Sequence, residues 1–266
     1  MIPAGAPLPA LGVFGVVAAL SFGLLVGSFL NVLIHRLPRE ESIVRPGSHC
    51  PSCGAAIRPL DNVPVLSWLL LGGRCRACRA PISARYPFVE LANGALWGAV
   101  FWRAPSWADF ASGAFLCSAC LALLWIDADF QLLPDAITLP GIAVGLALSF
   151  FSLERTPIGA ALGAALGGGG LLLLGALYRA LKKVEGMGLG DVKMLAMIGA
   201  FLAPWGVAVT VLLASVAGSL AGLALIVAGR GGLSTRLPFG VFLAAGAIAA
   251  YFFGTPLLLG YRSLWP

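Results

Sequence analysis

Two aspartates at the ends of apolar runs and four cysteines in two pairs carry the chemistry this sequence offers. Asp127 follows Leu123–Leu124–Trp125–Ile126 and opens the string Asp127–Ala128–Asp129, while Asp191 closes the string Gly188–Leu189–Gly190–Asp191. A carboxylate near membrane depth is costly to keep and marks a pathway, a pair or a catalytic site. Two carboxyls close enough to share a proton do not both ionise readily, so one stays acid while the other acts as base towards a water. Peptide hydrolysis without a covalent intermediate needs that arrangement. Gly188 and Gly190 remove side-chain bulk and permit left-handed backbone, so an extended substrate can approach Asp191; Lys193 follows two residues on. Each carboxylate alone also has a plain reading, Asp127 as a helix-end charge among headgroups and Asp191 as a helix N-cap.

The cysteines Cys50, Cys53, Cys75 and Cys78 form CxxC…CxxC at zinc-ribbon spacing in a polar, arginine-rich segment. Four thiolates bind zinc tetrahedrally and leave no open position for water, so the site is read as structural rather than catalytic or redox-active. Arg74, Arg76 and Arg79 offset its negative charge. Cys117 and Cys120 repeat the spacing inside an apolar run, where they are read as small packing residues one helical turn apart.

The elements that position these groups are set by a composition of 59% hydrophobic against 11% charged residues, which excludes an ordinary soluble surface. Spans are expected near 11–34, 86–102, 110–126, 136–153, 156–178, 194–203, 207–228 and 237–259. This is an all-α polytopic membrane protein of about eight transmembrane helices, with Pro204–Trp205–Gly206 as a tight turn between the sixth and seventh. A small cytoplasmic zinc-ribbon-like domain lies between helices 1 and 2. The corresponding domains are 1–35, the first helix; 36–85, the four-cysteine domain; and 86–266, a seven-helix core. Most Lys and Arg fall on one side of this topology, with only Arg103, Arg155 and Arg262 on the other, which puts the cysteine loop and Asp127, Asp129, Asp135 and Asp191 in the cytoplasm. The first apolar run has no basic residue before it and is too long for a cleavable signal, so it is expected to remain. A sequence pI of about 9.3 does not point to nucleic acid, because the basic residues sit between apolar runs rather than in a stripe. The run Gly167–Gly170 is read as a close helix contact.

An ordered set of motifs then resembles one family. Gly27–Ser28–Phe29–Leu30–Asn31, Asp61–Asn62–Val63–Pro64, Ile82–Ser83–Ala84–Arg85–Tyr86–Pro87, Glu90–Leu91, Gly188–Leu189–Gly190–Asp191 and Pro238–Phe239–Gly240 together resemble the type IV prepilin peptidases, membrane GxGD aspartyl proteases. The resemblance implies Asp127 and Asp191 as catalytic aspartates, with Asp129 and Asp135 as neighbours. It implies cleavage of the basic leader of type IV prepilins or pseudopilins at the cytoplasmic face of the bacterial inner membrane. It also implies N-methylation of the new terminus from S-adenosylmethionine, at a site the sequence does not locate. His35 and Val241 depart from the family, where tyrosine and proline are common. A cation transporter or a non-enzymatic assembly factor using the same aspartates are the rival classes; oligomeric state is left open.

Overall fold

The computed structural model describes residues 12–183, 188–230, 232 and 237–263, and among them the secondary structure is helical, with two isolated β-bridges. The beginning of the first expected span and Glu185–Met187, before the second aspartate, lie outside the described residues. The chain divides into two compact units, one up to Phe110 and the other from Ala111.

In the first unit α1 (Gly12–Arg36) packs antiparallel on α3 (Arg85–Arg103). The contact is close because glycines face it: a Cβ at Gly27 would lie 2.7 Å from the Cα of Glu90, and one at Gly23 would lie 2.9 Å from the Cα of Gly94. Asn93 fastens the pair by donating to the Gly23 carbonyl at 2.7 Å, and Asn31 donates to the Tyr86 carbonyl at 3.1 Å. Phe101, Trp107 and Phe110 pack edge to face at the far end.

Between these helices the chain makes 3-10 turns at Leu37–Arg39 and Pro59–Asn62 and one short helix, α2 (Leu66–Leu70). The expected ribbon is instead a pair of matching knuckles. The Cys50 N–H donates to the Ala55 carbonyl and the Cys75 N–H to the Ala80 carbonyl, both at 2.9 Å. Gly54 and Arg79 adopt left-handed φ of 70° and 61° to close the turns. Each knuckle adds a single bridge, His49 with Ala56 and Arg74 with Pro81, too little pairing for a strand. Arg76 grips Asp61 through two parallel hydrogen bonds of 2.8 and 2.6 Å, tying the second knuckle to the 3-10 turn.

The second unit is built from α4 (Trp107–Phe130) beyond its first turn, α5 (Asp135–Ser149), α6 (Pro157–Lys182), α7 (Leu189–Val227) and α8 (Phe239–Ser263). Thr156 caps α6, its hydroxyl accepting the Gly159 N–H at 3.0 Å, with Pro157 at the first helical position, where a missing N–H is harmless. Antiparallel packing of α6 on the first half of α7 rests on small residues. A Cβ on Gly163 would strike the Gly199 carbonyl, one on Gly167 would lie 2.5 Å from the Leu195 carbonyl, and one on Gly168 would lie 2.9 Å from the Ala196 Cβ. Gly169 and Gly170 face open space, so the glycine run makes its close contact through its first two members.

The chain reverses where the turn at Pro204–Trp205–Gly206 is expected, one residue early: Trp205 donates to the Gly254 carbonyl late in α8, Gly222 lies against Leu237 before α8 begins, and Gly190 shares Leu133 with Gly240 at that same end. The sixth and seventh spans are the two halves of α7, separate helices joined at Ala203, where φ is 57° and ψ −178°. Pro204 begins the second half as a first-turn residue, a position at which proline is tolerated. Arg155 steadies the break: its guanidinium donates to the Phe201 carbonyl and, at 2.6 Å, to Ser112, and lies 5.7 Å from the centre of the Phe201 ring.

Among the described residues, five helices are long and apolar enough to cross a membrane, Gly12–Arg39, Trp107–Phe130, Pro157–Lys182, Leu189–Val227 and Phe239–Tyr261. The chain is a multi-pass membrane protein. α3 is not among the five, and α5, with 15 residues, is about 22 Å long against a hydrocarbon core of about 30 Å.

Candidate active site

Four helix ends of the second unit supply one cluster: the last turn of α4 and the first turns of α5, α7 and α8. Residues two apart on a helix point to opposite sides, and this separates the two aspartates of the Asp127–Ala128–Asp129 string. Asp127 turns inward and is only 5% exposed, whereas Asp129 is exposed. The first turn of α8 cradles the inward carboxylate: the Val241 N–H donates to Asp127 Oδ2 at 3.0 Å, and the Gly240 N–H also points to it. No side chain fits between them, since a Cβ on Gly240 would stand 2.8 Å from Asp127 Oδ2.

Asp191 lies in the first turn of α7, and Gly188, not Asp191, is the N-cap. The N-cap reading of this aspartate is therefore set aside, and its carboxyl is left for other work. It is half-buried and within reach of the charge on Asp127. Leu133, on the short loop from α4 to α5, joins the two sides. It is 8% exposed, packs 3.0 Å from where a Cβ would stand on Gly240, and lies equally close to the same point on Gly190. The glycines before Asp191 do not use left-handed backbone. Gly188 is extended at φ −74°, Gly190 is helical, and Gly190 is small because Leu133 lies against it.

Lys193, one helical step beyond, donates 2.7 Å bonds to both oxygens of Asp135. The pair ties the start of α7 to the start of α5, and both partners are open to solvent, so its contribution to stability is below about 1 kcal/mol. Asp135 is thus neutralised by a cation and stands apart from the buried carboxylate.

The four sulfurs of Cys50, Cys53, Cys75 and Cys78 lie within 4.8 Å of one another, with Cys50 and Cys78 at 3.8 Å. A tetrahedron of zinc–sulfur bonds of about 2.3 Å has edges of about 3.8 Å, so the donor set and its spacing fit the metal. Backbone N–H groups of Ser52 and Cys53 hold the Cys50 thiol down at about 6. The Ala80 N–H favours the Cys78 thiolate too, but hydrogen bonding to the Cys53 sulfur and burial push that thiol up to about 11. Four adjacent thiols do not all ionise without a cation among them. Cys117 and Cys120 are fully buried in α4.

Two family models match this chain. The Bacterial Peptidase A24 N-terminal domain matches residues 21–104, and the Type IV leader peptidase family matches residues 114–223. The chain belongs to the type IV leader peptidase family. Prepilin leader peptidase/N-methyltransferase of Burkholderia pseudomallei (strain 1026b) is 43% identical over 274 residues, covering 91% of this chain and 87% of that protein. The proteins of the same name from Stutzerimonas stutzeri and Pseudomonas aeruginosa are 40% and 37% identical, each covering 92% of this chain and 93% of the relative. No solved structure matches.

Within this leader peptidase, Asp127, Gly188, Gly190, Asp191 and Lys193 come to one end of the second unit, and the four cysteines to one point of the first. Sequence reasoning missed Leu133 and Val241 as site residues and treated Gly240 only as part of a motif. Gly240 carried a signal, a glycine in the first turn of an apolar helix, where nothing local requires one. Leu133 carried none, being one leucine among many.

Proposed function

We propose that Asp127 and Asp191 are the catalytic pair of an aspartyl endopeptidase that removes the leader of type IV prepilins or pseudopilins. The observation that carries this reading is the placing of both carboxyls at one set of helix ends, on either side of Leu133, with Asp127 gripped by α8. One carboxyl is protonated and the other charged. The charged one takes a proton from a water as the water oxygen attacks the scissile carbonyl, and the protonated one gives its proton to the carbonyl oxygen. The resulting diol collapses as a proton passes to the leaving amine, with no bond to the enzyme. Gly190 and Gly240, lacking side chains, let the helix ends that carry the two carboxyls close down on Leu133.

Gly240→Ala tests the cradle. The added methyl displaces the Asp127 carboxylate, and a displacement of about an ångström lowers cleavage by about tenfold to a hundredfold. Cleavage of a purified prepilin at the wild-type rate would remove Gly240 from the site.

The bias of basic residues places this end of the second unit in the cytoplasm and the protein in the bacterial inner membrane, where prepilin leaders lie. Eight crossings follow if α3 and α5 are counted and α7 is counted twice. α7 counts twice because it doubles back at Ala203: its first half starts beside Gly240, Trp205 reaches Gly254 late in α8, and Gly222 returns to Leu237. In functional terms residues 1–35 are the first helix, 36–85 a cytoplasmic zinc module and 86–266 the peptidase core. Cys50, Cys53, Cys75 and Cys78 hold one structural zinc. Purified protein is expected to contain about one zinc per chain, and Cys50→Ser well below that, by elemental analysis. Zinc content near one in the variant would overturn the site. Because protons compete for the thiolates, zinc retention falls as pH falls.

The relatives' name adds N-methylation of the freed terminus, with S-adenosylmethionine as methyl donor. When bound, that donor supplies an electrophilic methyl group on a sulfonium sulfur.

A further inference from the structure

We infer that the cavity beside the cytoplasmic end of α1, within the first unit, binds S-adenosylmethionine. The inference rests on the methyltransferase reading above and gives that activity a place. The cavity has a volume of about 660 Å³, well inside the range of cofactor sites, and is bounded by the last turns of α1, the loop before the first knuckle and the first turn of α3. Neither of the other two centres is free for this cofactor. The aspartate cluster is committed to hydrolysis, and four thiolates around a metal leave no open position.

Its walls match the parts of the molecule. Phe29, Val32 and Ile43 present an apolar surface that suits the adenine ring. Tyr86 and Asn62 add polar groups to the same lining, suited to the ribose hydroxyls. Besides Tyr86, the ionisable side chains of the lining are His35, Arg36, Glu41, His49 and Glu90, and Glu90 is its buried acid. It is only 8% exposed, and its carboxylate accepts the Val65 N–H at 2.7 Å and a bond from the Ser28 hydroxyl, both neutral donors. A buried carboxylate beside a cavity, held by neutral dipoles, is completed by a ligand that brings a positive charge. S-adenosylmethionine brings two, the sulfonium and the ammonium. Arg36 builds the site rather than filling it, because its guanidinium is spent on the Ser42 and Gly47 carbonyls at 2.9 and 3.3 Å, which shape the loop.

The transfer balances without a further reagent. The lone pair of the uncharged peptide amine forms a bond to the methyl carbon, the carbon–sulfur bond breaks with its electrons going to sulfur, and the amine releases one proton to water. The products are the methylated terminus and the neutral thioether.

Equilibrium dialysis of the full chain in detergent with tritiated S-adenosylmethionine tests the site directly, without turnover. Wild-type protein is expected to take up about one molecule per chain. Glu90→Gln, which keeps the shape and removes the charge, is expected to weaken binding at least tenfold. Ile43→Trp fills the cavity from the loop without touching Glu90, and is expected to do the same; it guards against a Glu90→Gln chain that has merely loosened the Val65 turn. Ultraviolet crosslinking should leave tritium in peptides from residues 25–49 or 86–90. Wild-type affinity in both variants, or label confined to the second unit, overturns the assignment while methylation of the cleaved product still stands. A wild-type chain that neither binds the cofactor nor methylates overturns the methyltransferase reading with it.

Discussion

Asp127→Asn and Asp191→Asn are each expected to reduce leader cleavage by at least about a thousandfold, about 4 kcal/mol of barrier, with zinc content and thermal stability unchanged. Asparagine keeps the size of the side chain and can still accept the Val241 N–H, so the α8 cradle survives. What it lacks is a carboxyl that can take or give a proton. The measurement is cleavage of a purified prepilin in detergent, read as the shortened product. Asp129→Asn and Asp135→Asn are the comparison, since Asp129 is exposed and Asp135 is paired with Lys193, and both should retain most activity. Full cleavage by the Asp127→Asn, Asp191→Asn double variant would end the assignment.

Gly163→Val should prevent the second unit from folding. Its side chain would be driven into the Gly199 carbonyl and the backbone of Ala203, and backbone does not yield as a side-chain end would. The cost is about 3 kcal/mol or more. The same glycine-rich helix contains its own control, because a side chain at Gly169 or Gly170 meets nothing within 4 Å. Gly169→Val and Gly170→Val should therefore leave the melting temperature and the yield of monodisperse protein near wild type. Equal behaviour of Gly163→Val and Gly169→Val would show that the α6–α7 contact is looser than described.

Where sequence reasoning went astray, a local signal had more than one structural use. Pro204 and Gly206 read as the turn itself because both break helices, yet a proline is also a good first residue of one: the reversal falls one residue earlier, at Ala203, and Pro204 starts the next half of α7. The knuckles read as a ribbon because cysteine spacing is the same in both; pairing beyond the bridges is a matter of flanking backbone that spacing does not encode. Gly188 and Gly190 read as left-handed positions, whereas the demand on Gly190 is the approach of Leu133, a residue 57 positions earlier.

The residues by themselves determined the solvent, the helices and the reactive groups. Apolar runs of span length require helices, since lipid offers a bare amide no partner, and two CxxC pairs supply four thiolates whatever the surrounding fold. Tertiary structure alone decided which aspartate of Asp127 and Asp129 faces inward, that the first turn of α8 holds it, and that Leu133 packs against both Gly190 and Gly240. It also opened the cavity beside Glu90. Those features depend on contacts between residues far apart in the chain, and a helix's own periodicity says which residues share a face but not which neighbour that face will meet.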